Sequence, residues 1–135
     1  MKYQEFLNKV QQYGDIDNRD EAIRATQATV RTLAERVTFG EAKDFISQLP
    51  QELKSIVLQR TPQTQAQSFS VDEFVQRVAL IEDQPDAKGR KHAEAVMHAI
   101  QEALDPGELA DLKSQLPKDF NAMLEGLGEN RPTHH

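Results

Sequence analysis

A chain that repeats itself can fold only into an arrangement that accepts the same local structure twice, and this one repeats itself at an offset of 67 residues. Ser47-Gln48-Leu49-Pro50 recurs as Ser114-Gln115-Leu116-Pro117. At the same offset Gly40-Glu41 matches Gly107-Glu108, Asp44 matches Asp111, Glu35 matches Glu102, and Ala28 matches Ala95. Apolar positions also fall on apolar ones: Val30 on Met97, Leu33 on Ile100, Val37 on Leu104, Phe45 on Leu112, Leu53 on Phe120, and Ile56 on Met123. Near the start of each half Phe6 and Val10 pair with Phe74 and Val78, one residue out of step. The pattern predicts an all-α fold of eight helices, arranged as two tandem four-helix repeats packed with pseudo-twofold symmetry.

Helix signals set the boundaries. The first helix spans about Tyr3 to Tyr13 and is expected to stop at Gly14, a residue that tolerates a left-handed end. The second runs from about Asp20 to Val37. Thr38 caps the third, with Glu41 completing a capping box. Pro50 ends that helix and opens a fourth, to Gln59. Residues 60–69 are polar without helical period and read as a linker, so the first repeat occupies 1–59. The second repeat, 70–127, opens on Ser70 with Glu73 as box partner and Phe69 with Phe74 as a staple. Its long helix covers about Asp86 to Leu104. Asp105-Pro106-Gly107-Glu108 starts the next with cap, first-turn proline and box glutamate, and a last helix covers about Lys118 to Leu127. Residues 128–135 read as a flexible tail.

On the long helix of the second half, Ala93, Val96, Met97, Ile100, Ala103 and Leu104 share one face at 100° per residue. Their counterparts, Thr26, Thr29, Val30, Leu33, Arg36 and Val37, make a narrower stripe with Arg36 at its edge. A half of about 65 residues buries only a marginal core, so the halves are expected to pack on each other as one compact unit.

Composition limits the functional classes. Hydrophobic residues are 38% of the chain, there is no Cys, and no apolar run approaches the length of a membrane span. Without cysteine there is no thiolate nucleophile and no disulfide. The first residues lack the apolar core of a secretory signal, so the chain is read as cytoplasmic. A net charge of −6 and a pI near 5.2 argue against nucleic acid, whose binding draws on concentrated positive charge.

Phe6-x-x-x-Val10, Phe74-x-x-x-Val78, the alanine-rich long helices, and two Gln-Leu-Pro elements each followed by an acidic residue (Glu52, Asp119) carry a resemblance. The chain resembles, from about Tyr3 to Leu127, a family of small prokaryotic tandem-repeat helical proteins catalogued as a domain of unknown function. The resemblance implies a prokaryotic cytoplasmic protein and brings no catalytic residues with it.

Candidate chemistry is sparse. Glu94, His98 and Glu102 lie one helical turn apart on one face, a spacing that could present metal ligands given others from a neighbouring helix. The plainer reading is a solvated face, because the apolar stripe lies opposite. Lys88, Arg90, Lys91 and His92 gather at a helix start, where positive side chains and free N–H groups could receive an anion. His92 by itself is expected to be half-buried with one hydrogen-bond partner. Gly89 maps onto Ala22, which suggests close helix packing. Glu41 and Glu108 are assigned to capping boxes, and Asp44 and Asp111 to favourable first turns. Ser47 and Ser114 recur, yet no histidine recurs with them, so no Ser-His-acid arrangement is supported.

The residues therefore point to a non-enzymatic helical module that binds another protein or itself, without cofactor. Its groove is expected between the halves, lined by the third, fourth, seventh and eighth helices. A small-molecule or anion-binding protein using Lys88 to His92 is the alternative, and a metal-dependent enzyme using Glu94 and His98 is the third reading.

Overall fold

The computed structural model describes residues 1–58, 70–121 and 123. Among these, every regular element is helical: α1 (Tyr3–Gly14), α2 (Arg19–Arg36), α3 (Phe39–Ser47), a 3₁₀ turn (Gln51–Leu53), α4 (Lys54–Leu58), α5 (Val71–Glu82), α6 (Asp86–Ala103) and α7 (Pro106–Ser114). Helical backbone resumes at 119–121. The linker, the staple residue Phe69 and the tail lie outside the described residues.

Short polar side chains start most of these helices. Asn18, Thr38, Ser70 and Asp105 each accept the backbone N–H of the glutamate three residues on, at Glu21, Glu41, Glu73 and Glu108. Pro50 keeps extended backbone before the 3₁₀ turn, so the expected fourth helix begins as one tight turn before α4. The end of α1 departs from expectation. Gly14 stays helical, and Asp15 takes the left-handed conformation at φ 52° and ψ 49°, as Asp83 does after α5. A Cβ on Gly14 would come within 3.1 Å of Ala95 Cβ, so the glycine serves the approach of α1 to α6. Gly89 does the same for α6 and α5, where a Cβ would stand 2.6 Å from Ala79 Cβ.

The long helices are more deeply enclosed than one-sided stripes predict. In α6 every residue from Ala95 to Ile100 is buried, and in α2 Ala28, Thr29 and Val30 are buried as well as Thr32, Leu33 and Ala34. The reason is exchange between the halves. Helix α1 packs on α6 as well as on α2, and α5 packs on α2 as well as on α6. Alanine at 22, 25, 28, 93, 95 and 99 lets these axes come close. The core between them holds Phe6, Leu33, Phe74, Met97 and Ile100. Beyond this bundle α3 lies against α7. Among the described residues no helix is long and apolar enough to cross a membrane.

Candidate functional site

The α3–α7 junction is built by an exchange of caps. In a complete capping box the glutamate side chain returns to the N–H of the cap residue. Here a glutamine from the other helix takes that place. Gln115, just past α7, accepts the N–H of Thr38 at 3.0 Å, and Gln48, just past α3, accepts the N–H of Asp105 at 2.8 Å. Each amide also donates back to the cap side chain, Gln48 to Asp105 at 2.7 Å and Gln115 to Thr38 at 3.4 Å. The boxes expected at Glu41 and Glu108 are therefore only half made. With their return bonds taken by glutamines, the two glutamate side chains turn to each other.

One carboxylate oxygen from each of Glu41, Glu108 and Asp111 lies within 4.8 Å of the others. Glu41 is only 6% exposed. Its Oε2, and Oε2 of Glu108, are closed to solvent without a hydrogen-bond donor among the described residues. Burial, then the hydrogen bond and charge of Glu108, then the charges of Asp44 and Asp111, push the Glu41 carboxyl up to about 8. Two carboxyls enclosed in this way require a positive partner, either a proton or a cation. Read locally, Glu41 and Glu108 belong to capping boxes, and the sequence signal for this site is the recurrence of Glu-x-x-Asp at an offset of 67 residues.

The basic cluster at the start of α6 is tied to carboxylates. His92 is 1% exposed, with Nδ1 2.8 Å from Glu82 and Nε2 2.9 Å from Glu21. Both ring nitrogens face carboxylate oxygens. This differs from the half-buried ring with one partner that the sequence suggests, because α2 and α5 enclose it from both sides. Lys88 stands 3.5 Å from the same Glu21, and Arg90 bonds Asp72 at 2.7 Å, while Lys91 is exposed. Burial acts to raise the Glu21 carboxyl, but Lys88 together with the hydrogen bond and charge of His92 outweighs it and holds the group below its ordinary value.

Glu94, His98 and Glu102 form a solvated face only in part: Glu102 is exposed, Glu94 half-buried and His98 buried. Helix α1 covers that side of α6. His98 is buried with its ring 4.3 Å from that of Tyr13, edge to face, and Tyr13 Oη donates to Glu102, which also faces Lys9 at 3.8 Å. Glu94 is half-buried, and burial raises its carboxyl against the opposing charge of Arg90. Among the described residues the only three-way convergence of ligand atoms is at Glu41, Glu108 and Asp111.

A cleft of about 390 Å³ lies between α2, α4 and α5. Arg24, Gln27, Ala28 and Arg31 form one wall, Ser55 and Ile56 the second, and Ile81 and Glu82 the third. Arg24 and Arg31 have no carboxylate within ion-pair distance among the described residues, whereas Lys9, Arg77, Lys88 and Arg90 each have one. Glu82 is held by His92. Ile81 is 42% exposed and the neighbouring Leu80 is 81% exposed. The groove anticipated from α3, α4, α7 and the last helix gives way, at α3 and α7, to direct packing.

Residues 3–123 match the family described as uncharacterized conserved protein (DUF2267), and the chain belongs to that family. No curated protein matches the chain.

Proposed function

We propose that this member of the family is a non-enzymatic helical module that receives an acidic, partly apolar segment of a partner protein in the cleft between α2, α4 and α5. The observation that carries the reading is the pair Arg24 and Arg31, without a carboxylate at ion-pair distance among the described residues of a chain of net charge −6. The guanidinium groups of Arg24 and Arg31, lining the same cleft as Ile56 and Ile81, suit a ligand that alternates carboxylates with apolar side chains. Ile81 gives the cleft wall a partly exposed apolar side chain, and its neighbour Leu80 on α5 is exposed too. The acidic net charge favours a different partner over a second copy.

The alternative, a small anion at Lys88 to His92, would require Lys88, Arg90 and His92 to exchange their carboxylates for it. The cleft asks for no such exchange. We also read the chain as a duplicated unit whose halves meet about a pseudo-twofold axis. The reciprocal bonds of Gln48 with Asp105 and of Gln115 with Thr38 support it, since both glutamines and both caps are 67 residues apart. A prokaryotic, cytoplasmic setting belongs to the same reading.

A photo-crosslinking residue at position 81 tests the docking surface in cells. The expected result is attachment to acidic peptides, lost when Arg24→Glu and Arg31→Glu are introduced together. Crosslinks insensitive to that double reversal would remove the cleft as the binding surface.

A further inference from the structure

We propose that the α3–α7 junction is a binding site for a hard divalent cation, with Ca²⁺ the best match, held by Glu41 and Glu108 and completed by Asp111. Three features converge there. Carboxylate oxygens from two helices lie within 4.8 Å of one another, a spacing that fits inside a Ca²⁺ shell, where opposite oxygens stand about 4.6–5.2 Å apart. The Glu41 side chain, more than nine-tenths buried, brings into the junction an oxygen with no donor among the described residues, and Glu108 brings a second. Asp111 is exposed, so the site has a solvent side from which an ion can enter and at which waters can fill its remaining positions.

The donor set specifies the class of ion. All three ligands are carboxylates, and oxygen-only sites favour Ca²⁺, Mg²⁺ or Mn²⁺ over the softer metals that seek imidazole or thiolate. Mg²⁺ holds opposite oxygens closer, at about 4.0–4.2 Å, and demands near-octahedral order, so it is expected to bind more weakly. The glutamines supply the support usual around a metal site. By occupying the cap N–H groups of Thr38 and Asp105 they prevent each glutamate from folding back into its own helix start. An ion held here would join the two halves of the chain through α3 and α7, a role separate from the α2–α4–α5 cleft.

The test uses the full chain, stripped with a chelator that is then dialysed away, and follows the melting temperature as CaCl₂, MgCl₂ or MnCl₂ is added at constant ionic strength. Calorimetry measures stoichiometry. Expected are a saturable rise with Ca²⁺ at one ion per chain, weaker binding of Mg²⁺, and loss of the Ca²⁺ response in Glu41→Gln. Asp111→Asn, an exposed change that leaves the core intact, should weaken binding by about tenfold or more. Glu5→Gln, remote on α1, should leave the response unchanged. The proposal is overturned if none of the three ions shifts the melting temperature, or if the shift persists in both Glu41→Gln and Asp111→Asn. Either result would leave a proton as the only partner of the pair.

Discussion

His92 stands between two carboxylates, one of them with a side chain as buried as its own. Removing the ring leaves the buried Glu82 side chain without its hydrogen-bond partner, so His92→Ala should cost about 1–3 kcal/mol in denaturant unfolding. Glu21, on the other side of the ring, is held below its ordinary value of 4.5. A carboxyl shifted down contributes stability that is present above that ordinary value and is lost as pH falls through the lowered one. Melting temperature should therefore fall on acidification below about pH 4.5, and Glu21→Gln should flatten that part of the profile. Thr29 gives a result of opposite sign. Thr26 and Thr32 return their hydroxyls to the carbonyls of Ala22 and Ala28 at 2.8 Å, but the buried Thr29 hydroxyl has no partner among the described residues. Thr29→Val should stabilise the chain by about 1 kcal/mol, read as a shift in denaturant midpoint without a change in slope.

At the scale of elements, α3 and α7 depend on each other for their starts. Gln48→Ala removes both side-chain bonds at Asp105, and Gln115→Ala removes those at Thr38. Each change should cost about 1 kcal/mol, the usual size for a lost helix cap. Amide exchange should speed up at the helix on the far side of the mutated glutamine, not at its own. Without a cation, the raised Glu41 carboxyl works in the sense opposite to Glu21. Its stability is fully present below pH 4.5 and is lost as pH rises through about 8. Glu41→Gln should remove that alkaline decline in chelated protein. Gly89→Ala tests a different pair of elements, since the added methyl meets Ala79 and should cost about 1–3 kcal/mol.

At the scale of the whole molecule, the chain is more interwoven than two units side by side. The helix starts at Thr38, Ser70 and Asp105 were legible because a cap and its glutamate are three residues apart. The small-residue role of Gly89 was legible from its match to Ala22. The meeting of Glu41 and Glu108 was not, because the glutamines that release them bind across 57 and 77 residues of chain. Periodicity along α6 placed His98 opposite the apolar stripe, but it could not show that α1 would cover that side too. Gln27 and Arg31 likewise lie off the apolar stripe of α2, and only the positions of α4 and α5 turn that face into a cleft wall. The central claim about the α3–α7 junction is that Glu41 is enclosed against Glu108 there. Carboxyl carbon NMR of Glu41 across pH, in chelated protein, tests it most directly: the account predicts titration near about 8, and titration at the ordinary value of 4.5 would contradict it.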